Sequence, residues 1–358
     1  MSTQATARTA TRTTAASAGR RTRIAAAAGI ALLTAGLLTG PATAAPADES
    51  GSGAVAAASV NGLHPVVLDT IPVGLNPRAV AFAPGYRYAY VANAGSNTVS
   101  VIDTRTRTAV STIPVGTFPY GVAFDVRGTF AYIPNRDSDD LSVIDTATRT
   151  VIKTVPVGDA PRWVAIAPSG RYAYVSSTGS GAITVIDTAT HTVVNTIPVG
   201  KAPRGIAFTP NGRTAYVANS DSDTVSVIDT RTGTVTATVP VGDEPRGVLI
   251  APDARTVYIS NTIGGTVSVI DTRTNTVTDT ITTGANPRGL NLFRGNRIAY
   301  VANSGSDTVS VFDTRTNKIL GSVPVGDDPR WTASGPGGTY LYVTNTGSHS
   351  VSVITVTR

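Results

Sequence analysis

The chain contains no cysteine. That excludes disulfides, thiolate metal sites, a cysteine nucleophile, c-type haem attachment and a lipoprotein anchor. Histidine is scarce, with three residues in 358, and His64, His191 and His349 have no metal-ligand spacing. Beyond residue 44 there are only two glutamates (Glu49, Glu244) and three lysines (Lys153, Lys201, Lys318). An enzyme needs a positioned acid or base, and these residues form no recognisable catalytic constellation. No catalytic residue, metal site or cofactor is therefore assigned from sequence.

Long apolar runs are also missing, with one exception. Ile24–Gly40 follows Arg20, Arg21 and Arg23 and precedes Ala42-Thr43-Ala44. A basic start, a short apolar stretch and an A-x-A site together describe a secretory signal peptide over residues 1–44. The run is short and rich in Ala and Gly, which disfavours a membrane anchor. Five of the 29 basic residues and none of the 23 acidic ones lie in this segment. The mature chain is thus close to neutral despite a whole-chain pI near 9.7, which argues against nucleic acid as a partner. Ala45–His64 is small and polar and reads as a flexible linker. The expected product is secreted or cell-wall associated, monomeric, and without a membrane span after cleavage.

What the sequence has in plenty is turns, with 35 Gly and 22 Pro, and a strict repeat. The Gly of Pro-Val-Gly recurs at 74, 116, 158, 200, 242, 284 and 326, and a tyrosine at 90, 132, 174, 216, 258, 300 and 342. Both series step by 42 residues, giving seven copies. Each copy holds four short segments rich in Val, Ile, Thr and Tyr, separated by turn-forming residues. In the fourth copy they are Arg204–Pro210, Thr214–Ser220, Thr224–Thr230 and Thr234–Pro240, and alternation places Val225 and Val227 on one face. Four-stranded units of this length without helical spacers predict an all-β, seven-bladed β-propeller over residues 65–358. A solenoid is the alternative, but seven equal repeats without distinct caps favour a closed ring. The seventh copy stops after its third strand, and the 42-residue register aligns its absent outer strand with Val66–Ile71. Ring closure by that N-terminal strand is expected.

Repeated residues have structural readings first. The tyrosines should pack between blades with their hydroxyls bonded. The Asn at 93, 135, 219, 261, 303 and 345 should satisfy backbone groups in the following turn. Asp103, Asp145, Asp187, Asp229, Asp271 and Asp313 should cap hairpin amides.

Tyr342-Val343-Thr344-Asn345 reads YVTN, with variants YVAN at Tyr90, Tyr216 and Tyr300, YIPN at Tyr132 and YISN at Tyr258. The third copy departs most, as YVSS at Tyr174–Ser177. In these motifs the chain resembles the YVTN β-propeller repeat family. The resemblance implies exported surface-layer or YncE-like propellers, mostly without assigned activity. Some YncE-like relatives are associated with DNA, which the near-neutral mature charge does not support.

Propellers bind at the channel mouth, on the face carrying the strand 4-to-1 and 2-to-3 loops. The first of these loops reads V-G-x-x-P-R and places Arg78, Arg162, Arg204, Arg246, Arg288 and Arg330 at the start of innermost strands; Tyr120 stands there in blade two. Such arginines would grip carboxylate or phosphate, or else bond acids nearby such as Asp159, Asp243, Glu244, Asp327 and Asp328. The next position is small in five blades but Trp163 in the third and Trp331 in the seventh. With Phe118 and Tyr120 these form an expected aromatic arc over blades seven, two and three, suited to a sugar, an aromatic acid or a peptide. Space-filling between blades is the competing role. The acidic loops 135–140 and 221–223 lack a full calcium-ligand pattern. The expected function is an exported binding or scaffold module for an envelope component, protein, sugar or small anionic or aromatic ligand. The alternative is a lyase or lactonase-type hydrolase using the channel.

Overall fold

The computed structural model describes residues 64–293, 297–335 and 338–357. The signal-peptide segment and all of the linker but His64 lie outside the described residues. Among the described residues are 28 strands, numbered in chain order from β1 (His64–Pro72) to β28 (Ser350–Thr357), with no α-helix. They form seven four-stranded antiparallel sheets. Blade one comprises β2 (Pro77–Phe82), β3 (Tyr88–Asn93), β4 (Thr98–Asp103) and β5 (Thr108–Pro114), in that spatial order. The seven-bladed propeller expected from the repeat is the fold.

Blade seven takes β26 (Pro329–Ser334), β27 (Tyr340–Asn345) and β28 from the C-terminal region, and its fourth strand is β1. Val66 pairs with Thr355, Ile71 with Val351 and Pro72 with Ser350, with a register shift between Val67 and Asp69. The strand begins at His64, one residue earlier than the linker boundary read from sequence, because His64 already pairs with Thr357. Innermost β2 packs against β26, so the ring closes.

The core is seven separate interfaces rather than one. Alternation sends one face of each middle strand toward either neighbouring blade. Val225 and Val227 pack with Val257 and Ile259 of blade five, while Ile228, on the opposite face of the strand, packs with Ile183 and Ile197 of blade three. The strand-two tyrosines Tyr90, Tyr132, Tyr216, Tyr258, Tyr300 and Tyr342 are among the largest fully buried side chains. Hydroxyl bonds follow as expected: Tyr216 donates to Asn275 Oδ1 at 2.9 Å and Tyr258 to the Thr314 carbonyl at 3.0 Å.

The asparagine expectation needs correction. Asn93 Nδ2 donates to Thr98 Oγ1 at 3.2 Å and Ser100 Oγ at 2.9 Å, side chains on the adjacent strand rather than turn backbone. Asn219, Asn261 and Asn303 repeat the arrangement. The reason is steric. A Cβ on Gly74 would lie 2.7 Å from the Asn93 amide, and Gly200 and Gly242 face Asn219 and Asn261 at 2.6–2.7 Å. The recurring Gly and Asn therefore pack as one unit, and blade three keeps Gly158 even where the asparagine is replaced by the smaller Ser177, 2.8 Å from an added Cβ. The hairpin aspartates do cap: Asp145 Oδ1 accepts from the amides of Ala147 and Thr148, both at 2.9 Å.

Candidate functional site

The V-G-x-x-P-R loops reach the channel through a left-handed residue before each proline, including Asn76 (φ 53°), Phe118 (φ 57°), Glu244 (φ 54°) and Asp328 (φ 51°). Non-glycine residues rarely adopt this conformation unless the surroundings hold them. Here the preceding blade holds them. Asn97 Oδ1 accepts the Phe118 amide at 2.9 Å, Asp139 the Ala160 amide at 2.7 Å, Asp223 the Glu244 amide at 2.8 Å and Asp307 the Asp328 amide at 2.9 Å. At the ring seam His349 Nδ1 accepts the Asn76 amide at 3.2 Å. Loop acids weighed as calcium ligands, Asp139 and Asp223, thus serve as blade-to-blade clasps.

The arginine after each proline lines one cavity at the channel mouth. Arg78, Arg162, Arg204, Arg246, Arg288 and Arg330 all face it, together with Tyr120, Trp163 and Trp331. Its volume is about 40 Å³, room for about three waters or one oxyanion group. Few acids meet these cations. Glu244 pairs with Arg246 and lies 4.0 Å from Arg204, and Asp328 pairs with Arg330 at 2.6 Å. Asp159, Asp243 and Asp327 make no ion pair with the arginines among the described residues. Each of the six guanidinium groups keeps one buried nitrogen without a hydrogen-bond partner: Nε of Arg78, Arg162, Arg246 and Arg330, and Nη1 of Arg204 and Arg288. Burial, reinforced by Arg246 and Arg330, pushes Arg288 down to about 9. Burial with Arg246 and Arg162 pushes Arg204 down to about 10. Both remain cationic at neutral pH. Their shifted values report crowded, poorly compensated positive charge.

The aromatics do not form the expected arc. Trp163 and Trp331 reach across the channel and meet in a tilted contact, with ring centroids 3.7 Å apart and planes at 42°. Small residues elsewhere in the circle make room for them: a Cβ on Gly289 would lie 2.6 Å from Trp331 Cε3. Trp163 also packs into the cores flanking blade one and blade four. The space-filling and site-lining roles therefore belong to the same side chains. Phe118 is not in the cavity lining; it sits between Arg78 and Arg136, each with Cζ 5.2 Å from its ring centroid.

Tyr120 breaks the circle locally. Blade two's innermost strand, β6 (Ala123–Phe124), keeps two residues where the other blades have six or seven, with an isolated bridge from Pro119 to Asn135. The Tyr120 ring lies 5.1 Å from Arg162 Cζ and 5.7 Å from Arg78 Cζ. Burial would push its phenol up, but Arg162, Arg204, Arg246 and Arg78 together pull it down to about 6.

Three contributors were not singled out from sequence. Arg136, one residue past the strand-two Asn of blade two, brings a further cation beside Phe118, and its Nε is buried without a partner. At the same position Ser220 and Ser304 accept from Nε of Arg204 and Arg288, at 2.7 and 2.6 Å. The signal was present: that position is Ser in blades four and six, Arg in two, and Ala or Thr elsewhere.

Comparison with known families gives one match, described as Lactonase, 7-bladed beta-propeller, over residues 58–194, 163–248 and 187–319. The chain belongs to this lactonase propeller family. Comparison with curated proteins gives no match. Among solved structures, this lactonase-family propeller is similar to Kuenenia stuttgartiensis hydrazine synthase, with 23% identity and a TM-score of 0.72. That alignment covers 78% of this chain and 95% of the other, and it speaks to the fold alone.

Proposed function

We propose that this protein is an exported propeller that binds an anionic ligand, carboxylate or phosphate in character, at its channel mouth. One observation carries the reading: six arginines converge on one small cavity, each with a buried N–H that has no partner in the protein. A buried donor left unbonded costs about 1–3 kcal/mol, and a charged donor more, so an oxyanion accepting several of them gains on each. Among the described residues Glu244 and Asp328 are the carboxylates that pair with these cations, and both are already engaged. The signal-like segment at residues 1–44 and the YVTN-type motifs support export and an envelope or extracellular setting. The two tryptophans in contact form an apolar wall that suits a compact ligand with one anionic group and an apolar or sugar-like body.

The test is thermal-shift and calorimetric screening of residues 45–358 against sulfate, phosphate, sugar phosphates and small organic acids, alongside R162A and R288A. An anion that raises the melting temperature of the wild type and fails with the variants supports the reading. No shift by any anion, or equal shifts in all three proteins, removes it.

Lactone hydrolysis is the second reading, favoured by the family match and by Tyr120. A phenol near 6 is largely phenolate at neutral pH and can act as a base on water. Water would add to the ring ester carbonyl, the ring C–O bond would break, and the arginines would hold the carboxylate product. Proton release on addition of γ- and δ-lactones, followed by pH-stat with wild type and Y120F, separates the two readings. Turnover lost in Y120F favours hydrolysis, and absence of turnover leaves the binding reading alone.

A further inference from the structure

The arginine circle contains its own competing anion. We propose that Tyr120, as the phenolate, is the internal counter-ion of the channel mouth, so that an oxyanion binds in exchange for that negative charge and the site takes up a proton on binding. This rests on the anion-binding reading and deepens it by stating how the site is regulated and which ligands it prefers.

The geometry supplies the argument. Six blades present arginine at the start of the innermost strand, and the remaining one, blade two, presents the one side chain there that can carry negative charge. Tyr120 lies between Arg78 and Arg162 and lines the same cavity as all six arginines. Arg204 and Arg246 act on it from across the mouth. The backbone fits this role, because the Tyr120 amide donates to the Pro134 carbonyl at 2.9 Å while the regular strand begins only at Ala123. Tyr120 is thus anchored without being tied into the ladder.

Charge then decides the competition. With Tyr120 neutral, six cations face only the two paired carboxylates, Glu244 and Asp328. With Tyr120 ionised, the pocket holds a third negative charge beside Arg78 and Arg162, where an incoming oxyanion would meet like charge at short range. Linkage makes the effect reciprocal: a bound anion raises the phenol, and protonation of the phenol tightens the anion. The preferred ligand is an oxyanion fully ionised on the acid side of neutrality, such as a sulfate ester, a sulfonate or a strong carboxylic acid. A ligand that itself gains a proton in the same range would lose the advantage.

The experiment measures inorganic sulfate binding calorimetrically from pH 5 to 8.5 in wild type and Y120F, in two buffers of different ionisation enthalpy. Sulfate does not titrate in this range. Glu244, Asp328 and the arginines are common to both proteins, so the difference isolates Tyr120. In the wild type, affinity is expected to fall about eightfold between pH 5 and 8 for a coupling of about one pKa unit, with proton uptake greatest between about pH 6 and 7. Y120F is expected to bind at least as tightly at pH 8, with a flat profile and no buffer dependence. A second measurement needs no ligand: the 295 nm absorbance of the wild type should show one tyrosine ionising near pH 6, absent in Y120F. Parallel pH profiles in the two proteins, or no ionisation near pH 6, overturn this inference and leave anion binding standing. Failure of sulfate and every other anion to bind either protein overturns both.

Discussion

Trp163 and Trp331, from blades three and seven, meet ring against tilted ring, centroids 3.7 Å apart, across the channel. The contact lies directly at the arginine-lined cavity. It couples two blades that share no interface in the ring.

Their energies should therefore be coupled. W163A and W331A are each expected to lower stability by about 1–3 kcal/mol, less than a fully buried tryptophan because both are only partly buried. The double variant should lose less than the sum of the two, since either change already removes the contact between them. Urea unfolding of the four proteins measures this, and strict additivity would show that the indoles act independently.

The room made for Trp331 gives a second expectation. G289A would place a methyl group 2.6 Å from Trp331 Cε3 and 2.8 Å from its Cα. A cost of about 1–3 kcal/mol is expected from the forced shift. At Gly264 the nearest atom to an added Cβ, Thr266 Oγ1, is 3.4 Å away, so G264A should be nearly neutral. Comparing the two melting temperatures separates crowding from a general loss of glycine.

Ring closure can be probed at β1. Ile71 is 2% exposed and packs with Val351 and Val353, whereas Leu68 on the same strand is 45% exposed. I71A is expected to cost about 2–4 kcal/mol and L68A within about 0.5 kcal/mol. Equal effects would mean that the strand closes the ring through its backbone alone.

Acid should weaken the hairpins. Backbone hydrogen bonds from Thr148 and Ala147 hold the Asp145 carboxyl below its usual range, and those from Ala189 and Thr190 do the same for Asp187. A carboxylate with a depressed folded value contributes stability that is present above its unfolded value, near 4, and is lost as pH falls through the folded one. D145N should therefore melt earlier than wild type at pH 7, with the gap closing below pH 4. A gap unchanged at pH 3 would contradict the capping role.

The 42-residue period determined the fold before any coordinates, because a propeller repeats one local solution seven times. Strand alternation, hairpin chemistry and the PVG glycine all lie within one blade or its nearest neighbour, so short-range pattern reports them faithfully. Pro65–Ile71 could be placed in the last blade by register alone, and the six arginines could be assigned to one face from their loop. What the repeat could not reveal was distance across the channel. Trp163 and Trp331 lie far apart in sequence and on non-adjacent blades, so their contact, and the Gly289 space it needs, exists only once the ring closes. The same closure gathers Arg78, Arg162, Arg204 and Arg246 around Tyr120 and changes a phenol into an acid strong enough to ionise near neutrality. Periodicity placed each residue in its blade; the circle, by summing charges that no single blade contains, made the site.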